Sequence, residues 1–324
     1  MVAQRVLDWL LEPAQPSVRY RALTELLHRS AKDREVREAK ARIPEQGWAA
    51  EMLSRREPGG WWVHSKSLYT PKYLSTNWNL LALADLGATR DLPPIRVSCE
   101  LWMERSPLNG GGVGGFSNGK GHLCYTGNMA RALVQFGYGE DPRVRKAFEW
   151  LARTADVKGG WSCWNMSDQP SRGRNLDSWE ALSAFSVYPR SRWTPEMKRA
   201  VELGVEFFLQ RELHLQGDRY KPWYRFHWPS HYYYDVLVGL DVLTALGVTD
   251  DPRLKFALDL VRKKRRGDGR WVLDAAHPDV EGPIKRWIDA HPRQAPVPMR
   301  FEEVGAPSKM ITLTALKVLD RVEH

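Results

Sequence analysis

Five short stretches set acids, amides, a histidine or a thiol beside aromatic or apolar residues. They are "KYLSTN" with Tyr73 and Asn77, "CYTGN" with Cys124, Tyr125 and Asn128, and "NLDSWE" with Asp177, Trp179 and Glu180. The others are "HYYYD" with His231, Tyr232 and Asp235, and "FEEVGAPSK" with Glu302, Glu303 and Lys309. A carboxylic acid in apolar surroundings has its pKa raised by desolvation and can hold a proton near neutral pH. Aromatic faces stabilise a developing carbocation without attacking it. Together these groups suit acid-initiated chemistry on an apolar molecule. Asp177 is the first choice of general acid, with Asp235, Glu303 and His231 as alternates. Tyr73, Asn77, Cys124, Tyr125, Asn128, Trp164, Trp179, Glu180, Tyr232 and Lys309 are candidates for contact with the substrate. Each group also has a structural role open to it. Asp177 and Asp235 suit helix caps, Cys124 a small buried hydrophobe, and His231 a hydrogen-bonded core residue.

What brings these stretches together is a repeat. "HLCYTGNMARALVQFGYGEDPRVRKAFEWLARTADVKGGW" is echoed by "HYYYDVLVGLDVLTALGVTDDPRLKFALDLVRKKRRGDGRW". Asp141-Pro142-Arg143 recurs as Asp251-Pro252-Arg253, and Trp161 recurs as Trp271 at the same offset. Apolar helices end in Leu-Gly or Phe-Gly at "NWNLLALADLG", "NMARALVQFG" and "VLVGLDVLTALG", where glycine takes the left-handed conformation at little cost. Each is followed by a capping residue and proline ("RDLPPIRV", "EDPRVRKA", "DDPRLKFA"), as "SWEALSAFSVYP" is by "WTPEMKRA". Amphipathic helices are therefore predicted to start near 33, 91, 141, 194 and 251, about 50 to 58 residues apart. Apolar helices fall between them, from near 17, 72, 123, 176, 232 and 307, and one more helix spans Val2 to Leu11. Apolar helices need cover on most sides, and amphipathic ones supply it on one face. The alternation predicts an all-α, closed (α/α)6 toroid: six helical hairpins in one domain over residues 1–324, apolar helices inside and amphipathic ones outside. The N-terminal helix then lies beside the last inner helix. The glycine-rich "SPLNGGGVGGFSNGKG" and the proline-rich segment 275–300 become connections over one end. Tyr232, Tyr233 and Tyr234, read as consecutive helical positions about 100° apart, cannot share one face.

Composition narrows the function. The 324 residues carry 43% hydrophobic and 27% charged residues, an ordinary soluble balance, with no apolar run long enough to span a bilayer. "MVAQRVLDWLLEPAQPS" lacks the pattern of a signal peptide, and three cysteines without a CxxC pair suit a reducing cytoplasm. The net charge of +9 is densest at Arg262 to Arg266, at the end of an amphipathic helix and without interleaved aromatics. That reads as a solvated face with favourable cations at a helix C-terminus, so no nucleic-acid partner is expected. Fifteen Trp, many at turns (Trp61, Trp62, Trp161, Trp164, Trp223, Trp228), either fill gaps between helices or line a cavity. No GxSxG, HExxH, GxGxxG or P-loop occurs.

The hairpin period and the endings "FEWLARTADVKGGW" and "ALDLVRKKRRGDGRW" resemble the repeat of the α/α-toroid superfamily of terpenoid cyclases and protein prenyltransferase β subunits. "PSVRYRALTELL", "KYLSTNWNLLALADLG", "CYTGN", "HYYYDVLVGLDVL" and "EEVGAPSKMITLTALKVL" resemble its small single-domain bacterial members. The resemblance implies a hydrophobic, isoprenoid-like substrate and cyclase, isomerase or transferase chemistry. Two departures matter. "NLDSWE" offers Asp177 and Glu180 but not the DxDD-type acid motif of class II cyclases, and the second toroidal domain of those enzymes is missing. Position 179 is Trp where prenyltransferases carry the cysteine of a DxC zinc pair, although His231 opens the next inner helix. No cofactor is therefore expected, with zinc left open. The alternatives are a hydrolase using Cys124, His231 and carboxylates on the same ring, and a noncatalytic module that shelters a hydrophobic ligand or peptide. Peripheral contact with a membrane fits the first reading, and the oligomeric state is not legible.

Overall fold

The computed structural model describes residues 3–106, 108–109, 112–113, 121–163, 170–214, 221–231, 233–275, 286, 289–290 and 299–323. Trp164, Tyr232 and most of the glycine-rich and proline-rich connections lie outside them. Regular structure in the described residues is almost wholly helical. The exception is an antiparallel pair, β1 (Leu108–Asn109) and β2 (Gly112–Val113). No helix there is long and apolar enough to cross a membrane.

The chain divides into two compact units. The first holds α1 (Gln4–Leu10), α2 (Pro16–Arg21, continued by a π turn Ala22–Leu26), α3 (Arg34–Arg42), α4 (Gly47–Ser54) and α5 (Thr76–Asp85). It also takes most of α6 (Pro93–Arg105) and the start of the C-terminal helix, Lys309–Glu323. The second holds α7 (Leu123–Leu133, continued by a π turn Val134–Tyr138), α8 (Pro142–Arg153), α9 (Pro170–Val187), α10 (Pro195–Leu209), α11 (Val236–Ala245) and α12 (Lys255–Lys263). The C-terminal helix is α13.

The local signals act as the sequence predicts. Asp33 accepts the Glu35 amide N–H at 2.8 Å, Asp141 that of Arg143 at 2.8 Å, Thr194 that of Met197 at 3.2 Å and Asp251 that of Arg253 at 2.9 Å. The glycines of the Leu-Gly and Phe-Gly stops are left-handed, with φ +78° at Gly87, +98° at Gly137 and +88° at Gly247. Every residue of α5 except Asn79 is buried, and so is most of α11. Along α8 the buried residues are Val144, Ala147, Phe148, Leu151 and Ala152, one stripe at helical spacing. Within the second unit the apolar helices pack in series, α7 on α9 and α9 on α11, while α8 packs on α10. Within the first, Lys309 at the start of α13 donates to the Trp9 carbonyl and sits 4.6 Å from the Trp9 ring. The N-terminal helix thus lies against the last apolar helix.

Four features differ from the sequence reading, the first being that α5 begins at Thr76 rather than near 72. α4 interrupts the strict alternation; its first residues follow Gln46, whose side chain caps nothing, so no local signal marks it. α9 begins at Pro170 rather than near 176, which places Asp177 inside the helix. α11 begins at Val236, with Asp235 as its extended N-cap, so Tyr233, Tyr234 and Asp235 precede the helix instead of forming its first turn. Tyr233 and Tyr234 are therefore not consecutive helical positions, and the third ring of the run, Tyr232, lies outside the described residues. Tyr234 is buried, donates its hydroxyl to the Leu213 carbonyl at 2.8 Å and stacks on Phe208 at 5.5 Å.

Candidate functional site

A hydrogen bond that the sequence does not advertise seats each loop on the following apolar helix. Backbone N–H groups donate from Trp62 to Thr76 Oγ1 (3.1 Å), Val113 to Thr126 Oγ1 (2.9 Å), Trp161 to Ser178 Oγ (2.8 Å) and Trp271 to Thr312 Oγ1 (3.0 Å). Two of the tryptophans also donate from the indole to the preceding helix, Trp62 to Met52 O and Trp161 to Leu151 O, both at 2.8 Å. The repeated Trp is therefore a structural pin. In the second unit the pin at Trp161 and Ser178 fixes the two residues that flank it on the chemical side, Cys163 and Asp177.

Asp177 is 1% exposed and sits within α9. Its Oδ2 accepts the Cys163 backbone N–H at 2.6 Å. Burial pushes its carboxyl up to about 7; the Cys163 amide works against that, and the Cys163 thiol adds to it. A carboxyl in that range is divided between acid and anion at neutral pH. Cys124, in the first turn of α7, completes the group: one ligating atom from each of Cys124, Cys163 and Asp177 lies within 4.8 Å of the others. Two thiols and a carboxyl are a donor set able to hold one metal ion.

The floor of this group is where α7 crosses α9. Gly127 lies so close to α9 that a Cβ there would sit 2.7 Å from the Glu180 carbonyl oxygen. Glu180, three residues on from Asp177, is fully buried. Asn128 is also fully buried, and neither its amide oxygen nor its nitrogen has a hydrogen-bond partner among the described residues. The buried Trp179 indole N–H is likewise unpaired there. Unsatisfied buried amides are uncommon and mark a place for a ligand, water or ion. Tyr125 is buried on α7 beside Cys124.

The remaining sequence candidates divide between roles. Asp235 is the N-cap of α11, accepting the Val238 N–H at 3.0 Å, so its cap role holds. Asp177 bonds to a residue outside its own helix, so its cap role does not. His231 is buried just before α11. Glu303 is exposed, which removes the desolvation that an acid role there requires. Its neighbour Glu302 is half-buried, and it accepts from Ser308 Oγ and Lys309 N–H at 2.5 Å each, closing the start of α13. Lys309 is engaged by Trp9 and Glu12. Tyr73 takes a left-handed backbone (φ +67°) and packs at a tilt against Trp78, ring centroids 4.7 Å apart. Asn77 on α5 is fully buried with both amide atoms unpaired among the described residues. Lys309, Glu303, Tyr73 and Asn77 belong to the first unit, the Asp177 group to the second. Cys163 is the functional residue that sequence reasoning missed. Its only signal is its place two residues beyond the repeated Trp161.

No family model matches the chain, and no curated protein does. Among solved structures, the type II terpene cyclase MstE from Scytonema is 18% identical with a TM-score of 0.46, covering 96% of this chain and 88% of that one. A variant of that cyclase in complex with geranylgeranyl dihydroxybenzoate, its substrate, is 20% identical with a TM-score of 0.44, covering 96% and 86%. A protein from Actinoplanes is 16% identical with a TM-score of 0.47, covering 99% and 98%.

Proposed function

We propose that the chain is an enzyme of terpenoid cyclase-like type that acts on a hydrophobic, isoprenoid-like substrate, with Asp177 delivering the proton that starts a cyclisation or isomerisation. The observation that carries this is the setting of Asp177: a carboxyl buried inside an apolar helix, held by one backbone amide and poised near neutrality. The protonated carboxyl gives its proton to a substrate alkene, whose π electrons form the new C–H bond and leave a carbocation. The Cys163 N–H then faces a full carboxylate, and its hydrogen bond strengthens as that charge develops. Transfer of a proton from a neighbouring carbon of the cation back to the Asp177 carboxylate, or to water, makes the product alkene and restores the acid. The unpaired Asn128 amide offers one donor and one acceptor to a polar head on an otherwise apolar molecule. The substrate class comes from the sequence resemblance.

The closed (α/α)6 ring over residues 1–324 belongs to the same proposal, supported by the serial packing of α7, α9 and α11 behind α8 and α10. So does a cytoplasmic setting without a nucleic-acid partner, which composition favours. The test is product analysis by gas chromatography and mass spectrometry with farnesyl and geranylgeranyl alcohols and diphosphates. Turnover by the wild type that is lost in a folded Asp177→Asn variant supports the reading. Binding of these ligands without turnover makes the protein a noncatalytic carrier.

A further inference from the structure

We propose that Cys124, Cys163 and Asp177 form a binding site for one thiophilic divalent cation, with the character of a zinc site that keeps a fourth position open. The three ligands come from three separate elements: the first turn of α7, the loop two residues past Trp161, and the interior of α9. Their donor atoms already lie within 4.8 Å of one another. Zinc–sulfur bonds of about 2.3 Å and zinc–oxygen bonds of about 2.0–2.2 Å put tetrahedral donors roughly 3.5–3.8 Å apart. The widest donor pair needs to contract by roughly 1.0–1.3 Å at most, a movement within the range of side-chain rotation.

The pins of the repeat and the close helix crossing hold the elements that carry the ligands in place. The Trp161 N–H on Ser178 pins the loop that carries Cys163 to the helix that carries Asp177. The Val113 N–H on Thr126 Oγ1 and the close approach at Gly127 hold α7 against its neighbours. The Cys163 amide holds Asp177 Oδ2, leaving the other carboxylate oxygen with its lone pairs, the kind of outer-shell bond that orients a ligating carboxylate. Two thiolates and a carboxylate favour a soft or borderline ion over magnesium or calcium. Three protein ligands leave a position for water or substrate. The ligand set differs from the DxC-and-histidine pattern of prenyltransferases, because position 179 is Trp and both thiols come from other elements.

A carboxylate that ligates a metal cannot carry the proton of the acid reading, so the metal-loaded protein is the form in which that acid is absent. The two proposals fail separately, because metal binding is read without turnover.

Reduced, chelator-treated protein is titrated anaerobically with cobalt(II) alone and followed by absorption. One equivalent should produce a thiolate-to-cobalt charge-transfer band with visible bands of tetrahedral intensity, and zinc should bleach both. Cys124→Ser and Cys163→Ser should each lower the band and the affinity by at least about tenfold, while Cys99→Ser leaves them unchanged. A measurement on the unaltered protein covers the case in which a variant does not fold. Zinc should protect Cys124 and Cys163 from alkylation, read by peptide mass spectrometry. Absence of a thiolate band at stoichiometric cobalt, or alkylation of both cysteines at the same rate with and without zinc, overturns the proposal.

Discussion

Replacing Gly127 by alanine probes the contact on which the candidate site rests. In the middle of a helix the change should help: alanine is favoured over glycine by about 1 kcal/mol of helix propensity. Here the new Cβ falls 2.7 Å from Glu180 O, 2.8 Å from Glu180 C and 3.0 Å from Ala181 N. Ordinary carbon–carbon contact begins near 3.5 Å, so α7 and α9 must separate by roughly 0.6–0.8 Å. All three atoms are backbone, and no rotamer change relieves them. Overpacking of this kind costs about 1–3 kcal/mol, more than the propensity gain returns at the upper end and about as much at the lower. The Glu180 backbone is rigid helix, which places the expected net loss at about 1–2 kcal/mol, or roughly 2–8 °C in Tm for a unit of this size. Gly139→Ala is the control, because its nearest neighbour is Val134 Cγ1 at 3.8 Å and its φ is −58°. It should be neutral or stabilising by up to about 1 kcal/mol. Urea denaturation of both variants decides the matter. A Gly127→Ala protein as stable as Gly139→Ala would refute the close crossing and the site built on it.

In the first unit, Glu25 lies between Arg21 (2.7 Å) and Lys317 (2.6 Å), the latter 5% exposed. Burial pushes the Glu25 carboxyl up, but the two cations outweigh it and hold it far below the usual carboxylate range. Its contribution is present above the ordinary glutamate pKa and is lost as pH falls toward the lowered one. Glu25→Gln should cost about 1.5–3 kcal/mol at pH 7, because it removes the charge that Arg21 and the buried Lys317 ammonium share; a loss below about 1 kcal/mol in denaturant titrations counts against the pairing. Asp177 has the opposite sign. Its folded pKa of about 7 lies above the ordinary aspartate value of 3.8, so the wild type should lose stability as pH rises between those values and level off above the higher one. Asp177→Asn, measured beside it in chelator, should show no such slope, and parallel curves for the two proteins contradict the buried acid.

Much of the fold is legible in the sequence because its signals are local. Capping residues, first-turn prolines and Leu-Gly stops depend on a few neighbouring residues, and they place α3, α6, α8, α10 and the ends of α5 and α11. The helix α4 has no such signal: it is held by packing, with Trp48 set 5.6 Å from the Trp228 ring. The site is less legible for the same reason. Asp177 and Asp235 look alike in sequence, each a few residues ahead of an apolar run. What separates them is tertiary. Asp235 turns to its own helix, while Asp177 meets an amide fourteen residues earlier on a loop. Whether Glu302 or Glu303 turns to the start of α13 hangs on the direction of the chain there, which no periodicity fixes. Cys163 enters only once the Trp161 pin shows where its loop is tied down.

The central claim is that a carboxylic acid on this chain protonates an apolar substrate, and isotope transfer tests it most directly. Chelator-treated protein is incubated in deuterium oxide with geranylgeranyl and farnesyl substrates, and the products are examined by mass spectrometry and NMR. The account predicts a cyclised or isomerised product carrying one deuterium on carbon from the wild type, and neither product nor label from Asp177→Asn. Product formed without carbon-bound deuterium, or labelled product from Asp177→Asn at the wild-type rate, contradicts it.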